Sequence, residues 1–104
     1  MSGPSARQHL PNRRSTETFE FAVGGLRYTC SVGRFEDDRI GKIFLSNHKS
    51  NSTADTNARD AAIAFSFAVQ HGVDTEKIRQ ALSRDSAGRA TGPLGRALDL
   101  LRED

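Results

Sequence analysis

Between Asp55 and Gly72 the chain reads DTNARDAAIAFSFAVQHG, the pattern that leaves it fewest choices of fold. Small or apolar residues recur at Ala58, Ala61, Ala62, Phe65, Ala68 and Val69, in steps of three and four that lay one stripe along an α-helix. Asp55 stands before the stripe as an N-cap, with Ser52 and Thr53 as near alternatives, and Gly72 stands where a left-handed C-cap residue belongs. Ile63 and Phe67 fall off the stripe. Their position predicts cover on more than one side and a central place for this helix.

Upstream the period changes from helical to alternating. Phe19, Phe21 and Val23 share one face of a strand over Thr16–Val23, with Thr18, Glu20 and Ala22 on the other. Gly24 and Gly25 tolerate the positive φ of a tight hairpin turn. A second strand, Leu26–Phe35, alternates Leu26, Tyr28, Cys30 and Val32 inward against Arg27, Thr29 and Ser31. Beyond the polar turn Glu36-Asp37-Asp38, Ile40–Leu45 makes a third strand, with Ile43 and Leu45 on one face and Ile40 and Phe44 on the other. Gly33 and Gly41 mark bulges or a close approach of backbone. Phe44 is a large aromatic on the face opposite the core and needs cover, from the N-terminal tail or from another chain; a homodimer is the favoured expectation.

Downstream, Ser46–Ala54 is a polar loop that cannot enter the core. After Gly72, Thr75 caps a second helix that runs to about Ser83 and turns Ile78, Ala81 and Leu82 inward. Pro93 suits the first turn of a third helix, whose stripe is Leu94, Ala97, Leu98 and Leu101. The expected fold is α+β: a three-stranded antiparallel β-meander followed by three helices packed on one face. Phe19, Phe21, Tyr28, Val32, Ile43, Leu45, Ala61, Phe65, Ala68, Ile78, Leu82 and Leu98 are the expected core. A chain of 104 residues is one domain with a modest core, here residues 16–104. Residues 1–15, with Arg7, Arg13 and Arg14 and little apolar content, read as a disordered basic tail.

Charge and cysteine usage narrow the function. Fifteen basic and 13 acidic residues leave a net charge of +2, and the arginines are spread along the chain rather than clustered, which argues against specific DNA binding. One cysteine, Cys30, cannot form an internal disulfide and fits a reducing compartment. No apolar run reaches a membrane span, and no hydrophobic signal core opens the chain, so the expected location is cytoplasmic.

Few residues have the spacing that chemistry needs. His9, His48 and His71 lie far apart, outside any metal-ligand pattern, so no metal site is expected. Cys30 points inward from a strand and reads as a small hydrophobe. Glu36, Asp37 and Asp38 lie in a turn, and Asp60 sits beside Arg59 on a helix. No catalytic residues are assigned. The best binding candidate is the head of the long helix, where free N–H groups and the helix dipole favour an anion and Lys49, Ser50, Ser52, Thr53 and Arg59 add donors. A carboxylate at Asp55 opposes this, and the loop lacks the phosphate-binding glycine pattern.

A family resemblance rests on several stretches. They are Gly25-Leu26-Arg27-Tyr28-Thr29, Ser31-Val32-Gly33-Arg34-Phe35, Asp38-Arg39-Ile40-Gly41-Lys42-Ile43-Phe44-Leu45, Ala54-Asp55-Thr56 through Arg59-Asp60-Ala61-Ala62-Ile63, Gln70-His71-Gly72 and Gly92-Pro93-Leu94-Gly95. Together, over about Thr16 to Leu101, they resemble the TSCPD domain, found near the C-terminus of adenosylcobalamin-dependent, class II ribonucleotide reductases and as small stand-alone proteins. The resemblance implies a link to deoxynucleotide supply, with a cobalamin-dependent reductase or a nucleotide as partner. The Thr-Ser-Cys-Pro-Asp segment and a cysteine pair for electron transfer are both missing. So are the barrel and radical cysteine of a reductase, which implies a non-catalytic accessory domain. Adenosylcobalamin belongs to the full-length relatives, and no cofactor is expected on this chain. A self-associating structural module is the alternative.

Overall fold

The computed structural model describes residues 16–102, and the expected basic tail lies outside them. Strands β1 (Thr16–Val23), β2 (Leu26–Arg34) and β3 (Ile40–Asn47) form an antiparallel sheet in the order β1-β2-β3. Helices α1 (Thr53–Gln70), α2 (Thr75–Ala81) and α3 (Pro93–Arg102) follow. The α+β arrangement is the one the alternation and the helical stripes predict. Gly24 and Gly25 hold φ of 60° and 75°, values that set the turn's twist to match that of the strands it joins.

One face of the sheet supplies Phe21, Val23, Tyr28, Cys30, Val32, Ile43 and Leu45 to the core, where they meet Ala58, Ala62, Phe65 and Val69 of α1 and Leu94, Ala97, Leu98 and Leu101 of α3. Five expected core residues are only half-buried: Phe19, Ala61, Ala68, Ile78 and Leu82. Phe19 lies on an edge strand, and Ile78 and Leu82 belong to α2 and its end, which rest against α3 rather than on the sheet. Leu26 is exposed because it follows the hairpin turn at the sheet's end, and Ala81 is exposed on α2. Ile40 packs toward the core instead of sharing Phe44's face. A register shift at Gly33/Arg34 pairs Gly33 with Lys42 but Arg34 with Ile40, and the extra residue, Gly41, inverts the alternation.

Helix α1 departs from expectation at its start and on its outer side. Ser52, not Asp55, is the N-cap and accepts the Asp55 N–H, while Asp55 lies in the first turn, buried. Asp74 rather than Thr75 caps α2. Ile63 and Phe67 are 54% and 51% exposed, so α1 is covered on one side only. The polar loop also starts later than expected, since β3 continues through Ser46 to a buried Asn47.

The polar residues of α1 explain why this helix lies where it does. The Ile43 N–H donates to Ser66 Oγ (3.0 Å), Gln70 Nε2 donates to the Gly41 carbonyl (2.8 Å), and the Asn47 N–H donates to Asp55 Oδ1 (2.9 Å). Backbone groups at alternate positions of β3 point away from β2, and these side chains meet those at Gly41, Ile43 and Asn47. The spacing matches, because two strand residues and four helix residues each span about 6–7 Å. Ala58 and Ala62, small and fully buried, line the same side of α1. The helix thus covers an edge that would otherwise attract another strand. Ser66→Ala would strand the Ile43 N–H, and urea denaturation is expected to show a loss of about 1–3 kcal/mol. A change near zero would mean that the edge does not need this hydroxyl.

At the opposite edge the same alternation turns the N–H and C=O groups of Thr18, Glu20 and Ala22 outward. Among the described residues, no backbone hydrogen bond meets them.

Candidate functional site

The segment between β3 and α1 is held by its own side chains. Asn47 Oδ1 accepts the Lys49 N–H (2.9 Å), and Asn47 Nδ2 donates to the Arg27 carbonyl (3.2 Å). Ser52 Oγ donates to the Lys49 carbonyl (2.7 Å) and accepts the Asp55 N–H (3.1 Å). Asn51 turns the chain with φ of 61°. Asp55 is the hub. Besides Asn47, its carboxylate accepts the Asn51 N–H (3.3 Å) and Arg59 Nε (2.9 Å). The Arg59 hydrogen bond first, then the two backbone N–H donors, hold this carboxyl below its ordinary range.

Of the five residues expected to bind an anion, the fold gathers Ser52 and Arg59 around Asp55 and leaves the side chains of Lys49, Ser50 and Thr53 exposed. The positive field of the helix start is occupied by the protein's own carboxylate, with which an incoming phosphate would have to compete. Arg59 does more than the sequence suggests, because its guanidinium also lies 5.0 Å from the centre of the Phe44 ring. The spacing of Asp55 and Arg59 foretells their ion pair. Nothing in the spacing of Arg59 and Phe44 foretells that contact, which depends on α1 lying along β3.

Cys30 has no exposed surface, and burial, then Glu17, push its thiol up to about 12. Such a group stays a thiol at neutral pH and is no nucleophile. Among the described residues, no three His, Cys, Asp or Glu side chains converge on a metal-sized site, and no helix is long and apolar enough to cross a membrane.

A second polar cluster ties the C-terminal elements together. Asp99 of α3 accepts from Arg84 (2.8 Å) and Arg79 (2.9 Å), and Arg79 also pairs with Glu76. Arg84, chiefly, and Arg79 hold the Asp99 carboxyl down at about 2. An unfolded aspartate titrates near 3.9, so on acidification the unfolded chain takes up this proton first. The stabilisation is therefore whole above about pH 4 and lost as pH falls toward about 2. Urea titrations should show wild type more stable than Asp99→Asn at neutral pH, with the gap closing over that acid window.

A protein of Agrobacterium fabrum named vitamin B12-dependent ribonucleotide reductase is 38% identical over 77 residues, which are 74% of this chain and 6% of that protein. Proteins of the same name from Bradyrhizobium diazoefficiens and Rhodopirellula baltica are 32% and 33% identical over 68% and 69% of this chain, and 6% and 7% of their own lengths. The chain is related to a short segment of B12-dependent ribonucleotide reductases. It spans less than a tenth of these three relatives. No family model matches it, nor does any solved structure.

Proposed function

We propose that this reductase-related chain is a TSCPD-type accessory domain that acts by binding a cobalamin-dependent ribonucleotide reductase, without catalysing the reduction itself. The relationship to a short segment of such reductases carries the reading. The sealed, protonated Cys30 supports its second half, because a dithiol or radical role needs an accessible or reactive sulfur. The experiment is a titration of a purified cobalamin-dependent reductase with the tagged chain, read by calorimetry and by turnover. A saturable complex, retained by Cys30→Ala, is expected. No binding at tens of micromolar would sink the proposal.

Self-association is the second reading, favoured by the edge of β1, which is unpaired among the described residues. Sedimentation showing a monomer at high micromolar concentration would count against it.

A further inference from the structure

We propose that the outer face of the sheet binds a nucleotide, with the nucleobase stacked on Phe44 and its phosphate at Lys42. The strand register places this face in rows: Thr18, Ser31 and Phe44; Glu20, Thr29 and Ser46; Ala22, Arg27 and His48. Lys42 stands next to Phe44 along β3. The floor is thus made of short hydroxyl side chains, and Phe44, 44% exposed, rises from it.

Two features make Phe44 a prepared platform rather than a stray apolar residue. Arg59 covers part of the ring at 5.0 Å and is itself fixed by the buried Asp55, so stacking a base would immobilise little that is not already held. Beside the ring, Thr18 and Ser31 bond each other at 3.2 Å and Thr29 bonds the His48 ring at 3.2 Å; each of these hydroxyls, like that of Ser46, has capacity for a further hydrogen bond, as the edges of nucleobases require.

Charge selects the ligand's sign. Glu20 is the acid among these outward rows, and Arg27 answers it at 3.4 Å. Lys42 is exposed and, among the described residues, has no ion-pair partner. Residues two apart on one strand face stand about 7 Å from each other, a reach comparable with that from a base to its own phosphate. Arg27 lies two rows beyond Phe44, too far for the same nucleotide but within reach of the next one in a strand. Though spread in sequence, Lys42 and Arg59 are brought beside one aromatic by the fold, with Arg27 two rows farther along the same face, and cations beside a stacking ring bind single-stranded nucleic acid and free nucleotides alike.

The test follows backbone amide shifts of the isotope-labelled full chain during titration with AMP, adenosine and a single-stranded oligonucleotide of roughly ten residues. Saturable shifts at residues 29–31, 42–48 and 59 are expected. Phe44→Ala, checked for folding by circular dichroism, should weaken binding about fivefold or more, and Phe44→Tyr should keep it. Lys42→Gln should weaken AMP but not adenosine. Tighter, strongly salt-dependent binding of the oligonucleotide, reduced by Arg27→Gln, would identify a strand as the source; equal affinity would identify the free nucleotide. The proposal is overturned by no saturable shift with millimolar AMP or with the oligonucleotide, by shifts confined to residues 49–55, or by an unchanged Phe44→Ala. It is equally overturned if Phe44→Ala abolishes reductase binding while no nucleotide shift is seen, since the face would then dock protein.

Discussion

Phe65→Ala is expected to destabilise the domain by about 3–5 kcal/mol, the cost of emptying an aromatic site in a core that cannot collapse around the void. Phe65 is 3% exposed and belongs to the cluster that joins α1 to the sheet and to α3. A domain of this size holds about 5–15 kcal/mol in all, so this one change removes about a fifth of it or more, and Tm should fall by about 15–30 °C. Chemical denaturation at constant pH measures it directly. A near-neutral result would mean that the α1 stripe does not face the sheet.

Asp55→Ala comes next, for a different reason. Phe65 fills space, whereas Asp55 answers three donors at once: the N–H groups of Asn47 and Asn51 and the Arg59 side chain. Removing it leaves the end of β3, the turn before α1 and the guanidinium all without an acceptor. A fall in Tm on the order of 10 °C or more is expected, together with loosening of Arg59 from Phe44, visible as amide shifts near Phe44. Asp55→Asn should recover part of the loss, because its amide oxygen can still accept. If Asp55→Ala instead raises stability, the carboxylate is a binding feature kept at a cost to the fold.

The strands were legible because alternation survives wherever one face is buried, and α3 because all four residues of its stripe are inside. The position of α1 was harder to see. Asp55, Ser66 and Gln70 work by meeting the backbone of β3, and polar side chains used this way leave no apolar period to read. Ile63 and Phe67 misled in the opposite sense, being apolar yet exposed. Ile40 was put on the wrong face because one bulge residue inverts everything beyond it. At the candidate site, Lys49 to Thr53 could be located as a helix entrance from composition alone. The contact of Arg59 with Phe44, and the rows of hydroxyls beside it, exist only once the strands are in register.

The two edges of the sheet are unequal, and this limits how many copies can join. α1 closes β3 with its own side chains, while the outward groups of β1 remain unpaired among the described residues. A protein with two sticky edges can grow into a filament, each newcomer offering a fresh end. A unit with one such edge has a valence of one. When its β1 meets another β1, both are used up and growth halts at a pair; when it meets a strand of a larger protein, it becomes the last strand of that sheet.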